Sequence, residues 1–274
     1  MRNVTLNNEL SMPQLGFGVW QVTNDEAASV VLKALETGYR SIDTAMIYKN
    51  EMGVGQGIKD SLIPREELFI TTKVWNADQG YDTTLKAFDT SLERLGLDYV
   101  DLYLIHWPTP QFDQYVNTYK ALEKLYHEGR VKAIGVCNFD SNHLQRLFDE
   151  CHTPPAVNQV ECHPFLAQNE LKTFCKKHNI YIEAWSPLMQ GGEVLNHPVV
   201  QGIARDHQKT GAQVIIRWHL QNDSIVIPKS VTPSRIEENF NVFDFELTDD
   251  EMELINNLDR GQRKGPKPSE MNKR

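Results

Sequence analysis

Asp43, Tyr48, Lys73 and His106 are side chains that together suit the transfer of a proton to an oxygen atom. A phenol is a poor acid near neutrality, with a reference pKa of about 10. An ammonium beside it favours the phenolate and draws that value down, and a carboxylate beside the ammonium keeps it charged in a buried place. Asp43 and Lys73 suit that pair, and His106 suits a donor that orients an acceptor oxygen. The chemistry that calls for such a set is carbonyl reduction, in which carbon receives a hydride and oxygen receives a proton from a positioned acid. Taken singly, each residue has an ordinary explanation. A loop tyrosine packs or is solvated, a strand-end histidine is a satisfied core group, and an Asp–Lys pair is structural.

The four gain weight from the elements that carry them. Short apolar, β-branched runs at residues 14–19, 41–44, 68–74, 100–106, 133–138, 157–162, 181–185 and 224–228 read as eight strands. Helical periods lie between them at 25–37, 51–60, 83–95, 116–127, 142–150, 168–177, 197–208, 212–221 and 235–242. Thr23 with Glu26 forms a capping box, and Gly38 and Gly129 stop two of the helices. Residues 214–216 sit inside a helical period that runs to Trp218 and Leu220, so they are assigned to helix. Eightfold β–α alternation predicts one closed (β/α)8 barrel, an α/β fold, over residues 1–274. Val4 to Met12, alternating across Asn7-Asn8, predicts a hairpin that plugs the barrel floor. A basic tail, 260–274, is expected near the substrate pocket. Catalytic groups of this architecture sit where strands end, at the C-terminal rim. Asp43, Tyr48, Lys73 and His106 all fall there, on three successive strands and their loops.

Composition narrows the function classes. The chain has 274 residues, Asp+Glu 37 against Lys+Arg 28 and a net charge of −9, with 40% hydrophobic and 24% charged residues. That describes an ordinary globular chain and excludes disorder. The acidic balance argues against a nucleic-acid partner, which requires a clustered basic face. No long apolar run occurs and Met1-Arg2-Asn3-Val4-Thr5 leads into polar sequence, so no membrane association and a cytoplasmic location are expected. Nothing suggests a coiled coil, and a monomer is expected. Cys137, Cys151, Cys162 and Cys175 are too sparse for a disulfide framework and read as free thiols. Cys151-His152 and Cys162-His163 lack metal-ligand spacing, so no metal is expected. Gly53, Gly55 and Gly57 do not have dinucleotide-loop spacing and read as a helix face packed closely on the barrel.

Longer segments resemble the aldo-keto reductase superfamily. They are GYRSIDTAMIYKNE (38–51), LFITTKVW (68–75), RLGLDYVDLYLIHWP (94–108), GRVKAIGVCNF (129–139), NQVECHP (158–164), EAWSPL (183–188) and IPKSVTPSRIEEN (227–239). They run in family order over almost the whole chain, nearest the bacterial glyoxal, methylglyoxal and 2,5-diketo-D-gluconate reductase branch. The resemblance implies a catalytic tetrad of Asp43, Tyr48, Lys73 and His106, with Tyr48 as the acid in reduction. It implies that Asn138 and Gln159 hold the nicotinamide carboxamide and that Trp185 stacks on the ring. Ser186 and Leu188 match the pyrophosphate path, and Lys229, Ser230, Arg235, Glu238 and Asn239 match the adenosine and 2′-phosphate site. NADPH is thereby implied as cofactor. Two cations beside Ser230, at the start of a helix, agree with a bound phosphate, although a solvated basic turn explains the same residues. Trp185 reads equally as a core aromatic.

One departure is Cys137, where the family usually has serine; its thiol is a weaker hydrogen-bond donor than a hydroxyl, next to Asn138. Trp20, Trp75 and Trp107, with His106, are expected around the substrate, or else they are rim packing. A short loop after His106 predicts an open pocket for small or varied carbonyls. The expected function is NADPH-dependent reduction of small aldehydes and dicarbonyls. Two other readings are a nicotinamide-binding sensor without turnover and an aldolase-like barrel with Lys73 or Lys229 as a Schiff base.

Overall fold

The computed structural model describes residues 2–274, so that only Met1 lies outside the description. It opens with two short antiparallel strands, β1 (Asn3–Thr5) and β2 (Ser11–Pro13), paired with Val4 opposite Met12. There follow β3 (Phe17–Gly18), α1 (Asn24–Thr37), β4 (Ser41–Asp43), α2 (Glu51–Asp60), β5 (Phe69–Val74), α3 (Tyr81–Leu95), β6 (Val100–Ile105) and α4 (Tyr115–His127). The second half continues with β7 (Val131–Cys137), α5 (Ser141–Glu150), β8 (Val157–Glu161), α6 (Asn169–Lys177), β9 (Tyr181–Trp185), α7 (Pro198–Asp206), α8 (Gly211–Gln221), β10 (Ile225–Val226), α9 (Pro233–Phe240) and α10 (Asp249–Asn256).

Strands β3 to β10 form one parallel sheet in sequence order. A parallel bridge from Leu15 to Val226 brings its two edges together. Gly16 N–H donates to the Val226 carbonyl at 2.9 Å and Val226 N–H to the Gln14 carbonyl at 3.0 Å. The sheet therefore closes into the expected barrel, which removes both edges. β3 is shorter than the six-residue run in the sequence because that run bonds first to β10 and only afterwards to β4.

The hairpin covers the floor. Val4, Leu6 and Met12 are buried against Leu102, Leu104, Ala133, Val157 and Ile225, which point into the barrel. Asn7 and Asn8 at its turn donate to the Pro155 and Lys132 carbonyls at the starts of β8 and β7. Burying each apolar side chain of this kind stabilises by about 1.5–3 kcal/mol.

Outside the barrel the helices bury one stripe each. α2 lies against α1 and α3 so closely that only glycine fits at three positions, Gly53, Gly55 and Gly57. A Cβ on Gly53 would strike the Asn24 carbonyl oxygen, and one on Gly55 the Leu95 carbonyl oxygen. The glycines are a packing device, as read from sequence, but they meet the neighbouring helices α1 and α3 and not the barrel, because their missing Cβ atoms lie against helix backbone. Residues 211–221 are helical, with a Thr210–Gln213 capping box. The sequence reading lacked α10, because Ile255 is its one fully buried residue and the apolar period is faint. Its signal was chemical, a Thr248–Glu251 capping box followed by acidic residues that suit a helix N-terminus. The loop after β6 spans residues 106–114, which is not the short loop expected after His106, although α4 begins at Tyr115, within one residue of the start read from sequence. Among the described residues no helix is long and apolar enough to cross a membrane.

Candidate active site

Asp43 and Lys73 end two neighbouring strands and meet inside the barrel. Lys73 Nζ lies 2.6 Å from Asp43 Oδ1 and donates to the Thr44 carbonyl at 2.8 Å. The Lys73 side chain has no solvent exposure. Burial works to lower its ammonium, but the Asp43 carboxylate and Tyr48 reverse this, and the group is held above the usual lysine value.

Tyr48 ends a turn of 3₁₀ helix, residues Met46–Tyr48, directly after β4. The loop is locked by Asn50, which is fully buried. It accepts from Thr44 Oγ1 at 2.8 Å and donates to the Val19 and Val22 carbonyls, both at 2.9 Å. Lys73 Nζ is 5.3 Å from the centre of the Tyr48 ring, and His106 meets that ring edge-on at 5.7 Å. The four residues of the predicted set, from β4, its loop, β5 and the end of β6, therefore come together.

Electrostatics differ from the sequence expectation in one respect. Lys73 does pull the Tyr48 phenol down, but desolvation by the surrounding protein outweighs it and the net shift is upward. Enclosure removes water from the phenolate, and one cation does not replace that hydration fully. Tyr48 is thus a protonated phenol at neutral pH. Burial, followed by the charge of Lys73, holds His106 well below the ordinary histidine value, so its imidazole is neutral.

Opposite this cluster stands a second arc. Asn138, at φ 63° just after β7, donates to the His106 carbonyl at 3.0 Å and accepts from Trp185 Nε1 at 2.9 Å. One asparagine thereby ties the ends of β6, β7 and β9. Gln159 Nε2 donates to Asp43 Oδ2 at 2.8 Å and to Glu183 Oε2 at 2.7 Å. Cys137 Sγ lies 3.7 Å from Gln159 Oε1, and burial pushes its thiol up, so it is neutral. Glu183 was not singled out from the sequence. The alternation of β9 held the signal, since Tyr181, Glu183 and Trp185 share one face of the strand and Trp185 was already a candidate.

The remaining candidates lie further around the rim. Ser186, at φ 50°, has a buried Oγ without a hydrogen-bond partner, and Leu188 is partly buried. Lys229 and Arg235 are exposed, and neither forms a salt bridge among the described residues. Arg235 is in the first turn of α9, whose Thr232 cap makes no side-chain bond. Ser230 Oγ accepts from Thr232 N–H at 3.1 Å, and Asn239 is buried. Glu238 turns to α8, where it accepts from Thr210 Oγ1 at 2.8 Å. Trp75 meets His106 edge-on at 5.2 Å. Trp107 is buried, and its carbonyl accepts from Gln79. Trp20 is 44% exposed and makes no aromatic pair among the described residues.

The tail crosses the same end of the barrel. Glu161, at the end of β8, accepts from Lys264 N–H at 2.6 Å and Gly265 N–H at 2.9 Å, and also contacts His163 Nε2 at 3.1 Å. Beyond it, Asn76 donates to the Lys273 carbonyl, and Gln111 N–H donates to Asn272. These contacts span the loops after β5, β6 and β8.

Comparison with known proteins agrees with this geometry. The family model described as "Aldo/keto reductase family" matches residues 14–260. The chain is 55% identical over 269 residues to glyoxal reductase of Bacillus subtilis, covering 98% of this chain and 96% of that protein. It is also 55% identical over 268 residues to 9,11-endoperoxide prostaglandin H2 reductase of Trypanosoma cruzi, covering 97% and 94%. A variant of Gox0644, crystallised with NADPH, superimposes with a TM-score of 0.95 at 49% identity, covering 98% of both chains. Closed barrel, rim cluster and relatives agree, and the chain belongs to the aldo/keto reductase family.

Proposed function

We propose that this protein uses NADPH to reduce small aldehydes and ketones to alcohols, glyoxal and methylglyoxal among them, with Tyr48 giving the proton. The observation that carries this reading is the half-buried phenol of Tyr48, set beside the Lys73–Asp43 pair and the neutral His106. NADPH, when bound, supplies the hydride.

The residues around the rim fit that cofactor. Asn138 and Gln159, whose N–H groups are engaged within the protein, have amide oxygens suited to accept from a carboxamide, and Trp185 offers an indole to lie against the ring. The unpartnered Ser186 hydroxyl, with Leu188, suits the pyrophosphate path. Lys229, Ser230 and Arg235, next to the N-terminal turn of α9, suit a 2′-phosphate, because unpaired cations and helix N–H groups both favour an anion. Asn239 and the free oxygen of Glu238 would complete the adenosine side.

As hydride reaches the carbonyl carbon, the oxygen develops alkoxide character. An alkoxide is comparable in basicity to hydroxide and is a stronger base than a phenolate. A phenol raised above its usual value remains the stronger acid, so the proton runs to the substrate. Lys73 then faces the phenolate and offsets its charge, while Asp43 keeps Lys73 in place. A neutral imidazole at His106 keeps one N–H to orient the carbonyl without adding a charge. Trp20, Trp75 and Trp107 supply an apolar rim, and tail 260–274 borders the pocket of a single barrel domain.

The test is NADPH consumption with glyoxal, methylglyoxal, aldoses and aromatic aldehydes, in wild type and Tyr48→Phe. Turnover is expected with the small dicarbonyls. The variant is expected to fall by about 10²–10⁴-fold, the range for a lost general acid, while binding NADPH within about twofold of wild type. Normal turnover by Tyr48→Phe would remove the acid assignment. Binding without turnover in the wild type would favour the sensor reading.

A further inference from the structure

Glu183 is fully buried on β9, within the barrel, yet the proton-transfer chemistry above does not use it. Its Oε2 accepts one N–H of the Gln159 amide, and Asp43 Oδ2 accepts the other. Only an NH2 group can serve two carboxyl acceptors, so this pairing orients the amide and turns the Gln159 carbonyl toward Cys137. Asp43 in turn holds Lys73. Gln159 therefore links one carboxyl group to another across the site, one from each arc.

We propose that Glu183 is a positioning residue that sets the orientation of the Gln159 amide and, by gaining or losing a proton, shifts the site's preference between reduced and oxidised nicotinamide. The proposal rests on the reading that Gln159 faces the nicotinamide.

The charge count supports it. With Glu183 protonated, the buried cluster is balanced: Asp43 negative, Lys73 positive, and Tyr48, His106 and Cys137 neutral. A neutral reduced ring suits that state. When Glu183 ionises, a second negative charge enters the Gln159 bridge, and the positively charged oxidised ring gains an attraction that the reduced ring lacks. Desolvation, then the neighbouring Asp43, raises Glu183 to about 8, opposed by its bond to Gln159 and by Lys73. The titratable neighbours come from β4 (Asp43), its loop (Tyr48), β5 (Lys73) and β7 (Cys137), with His106 after β6. Tyr48, Lys73 and Cys137 are held above their ordinary values and His106 well below its own. Beside Glu183 on β10 stands Ile225, which carries no charge.

The experiment measures dissociation constants of NADPH and NADP+ by titration calorimetry from pH 6.5 to 9.5, on the full chain and on Glu183→Gln. Taking their ratio cancels the phosphates, which the two forms share. In wild type the ratio Kd(NADPH)/Kd(NADP+) is expected to rise by on the order of tenfold, with a midpoint near pH 8, the scale of one unit charge at an effective dielectric near ~20. In Glu183→Gln it is expected to stay flat, because the amide still accepts from Gln159 but never ionises. A flat wild-type ratio, or a variant that keeps the slope, overturns the proposal while leaving the reductase reading intact. A wild type that binds neither nucleotide overturns the reductase reading instead. Should Glu183→Gln not fold, the wild-type infrared band of a protonated carboxylic acid decides. Its loss near pH 8 supports the proposal, and its absence at pH 7 refutes it.

Discussion

Replacing Lys73 with Met should unfold the barrel more readily, and it should do so because of what remains behind. The Lys73–Asp43 contact is 2.6 Å, with side-chain exposures of 0% and 4%. At an effective dielectric near ~20 such a pair attracts by about 6 kcal/mol, against which the burial of both ions must be set. Removing the cation leaves Asp43 with one donor, Gln159, and leaves the Thr44 carbonyl without its lysine partner. Uncompensated buried charges of this kind cost about 3–5 kcal/mol. In the double variant Asp43→Asn with Lys73→Met neither charge is left, so a large part of the loss should return, with a coupling of about 2–3 kcal/mol. Urea unfolding followed by tryptophan fluorescence and far-ultraviolet circular dichroism measures all four corners of the cycle. A Lys73→Met loss below about 1 kcal/mol, or additive single variants, would show that the pair is not the buried unit described.

Gly55→Ala is expected to lower stability by about 1–3 kcal/mol, since the added methyl meets the backbone oxygen of Leu95 and neither chain can yield cheaply; an unchanged unfolding midpoint would contradict the helix contact. Lys229→Ala and Arg235→Ala are each expected to weaken NADPH more than NADH, by about tenfold, measured as a ratio of binding constants, and equal losses for both would place the 2′-phosphate elsewhere. Glu161→Ala should loosen residues 264–265 and speed their amide hydrogen exchange, because both N–H groups lose their acceptor. Burial pushes the Glu161 carboxyl up, but His163 and those two N–H groups more than reverse it, so it is held below the usual carboxylate value. The sign follows: its stabilisation of the tail is complete above the unfolded carboxyl range, about 4.3, and is lost as pH falls through the lowered folded value. Tail protection that persists unchanged at still lower pH would refute the clamp.

The order of elements was legible in the residues because each strand buries both faces and each helix buries one. Continuous apolar runs and periods of 3.6 then record the fold along the chain. Asp43, Lys73 and His106 were legible for the same reason, since a strand's end is a fixed place in a barrel. The chemical types of Tyr48 and Trp185 marked them out, as the Thr248–Glu251 box could have marked α10. Tertiary structure decided what depends on distance across the barrel. Glu183 and Asp43 are far apart in sequence and share one amide only because β4 and β9 face the same interior. The net upward shift of Tyr48 is a property of enclosure, which no local pattern encodes. Glu161 finds its partners in a tail over 100 positions away, brought back by the closing of the fold. Local spacing fixes which side chains reach the rim; the closed barrel fixes their neighbours, and electrostatics follows the neighbours.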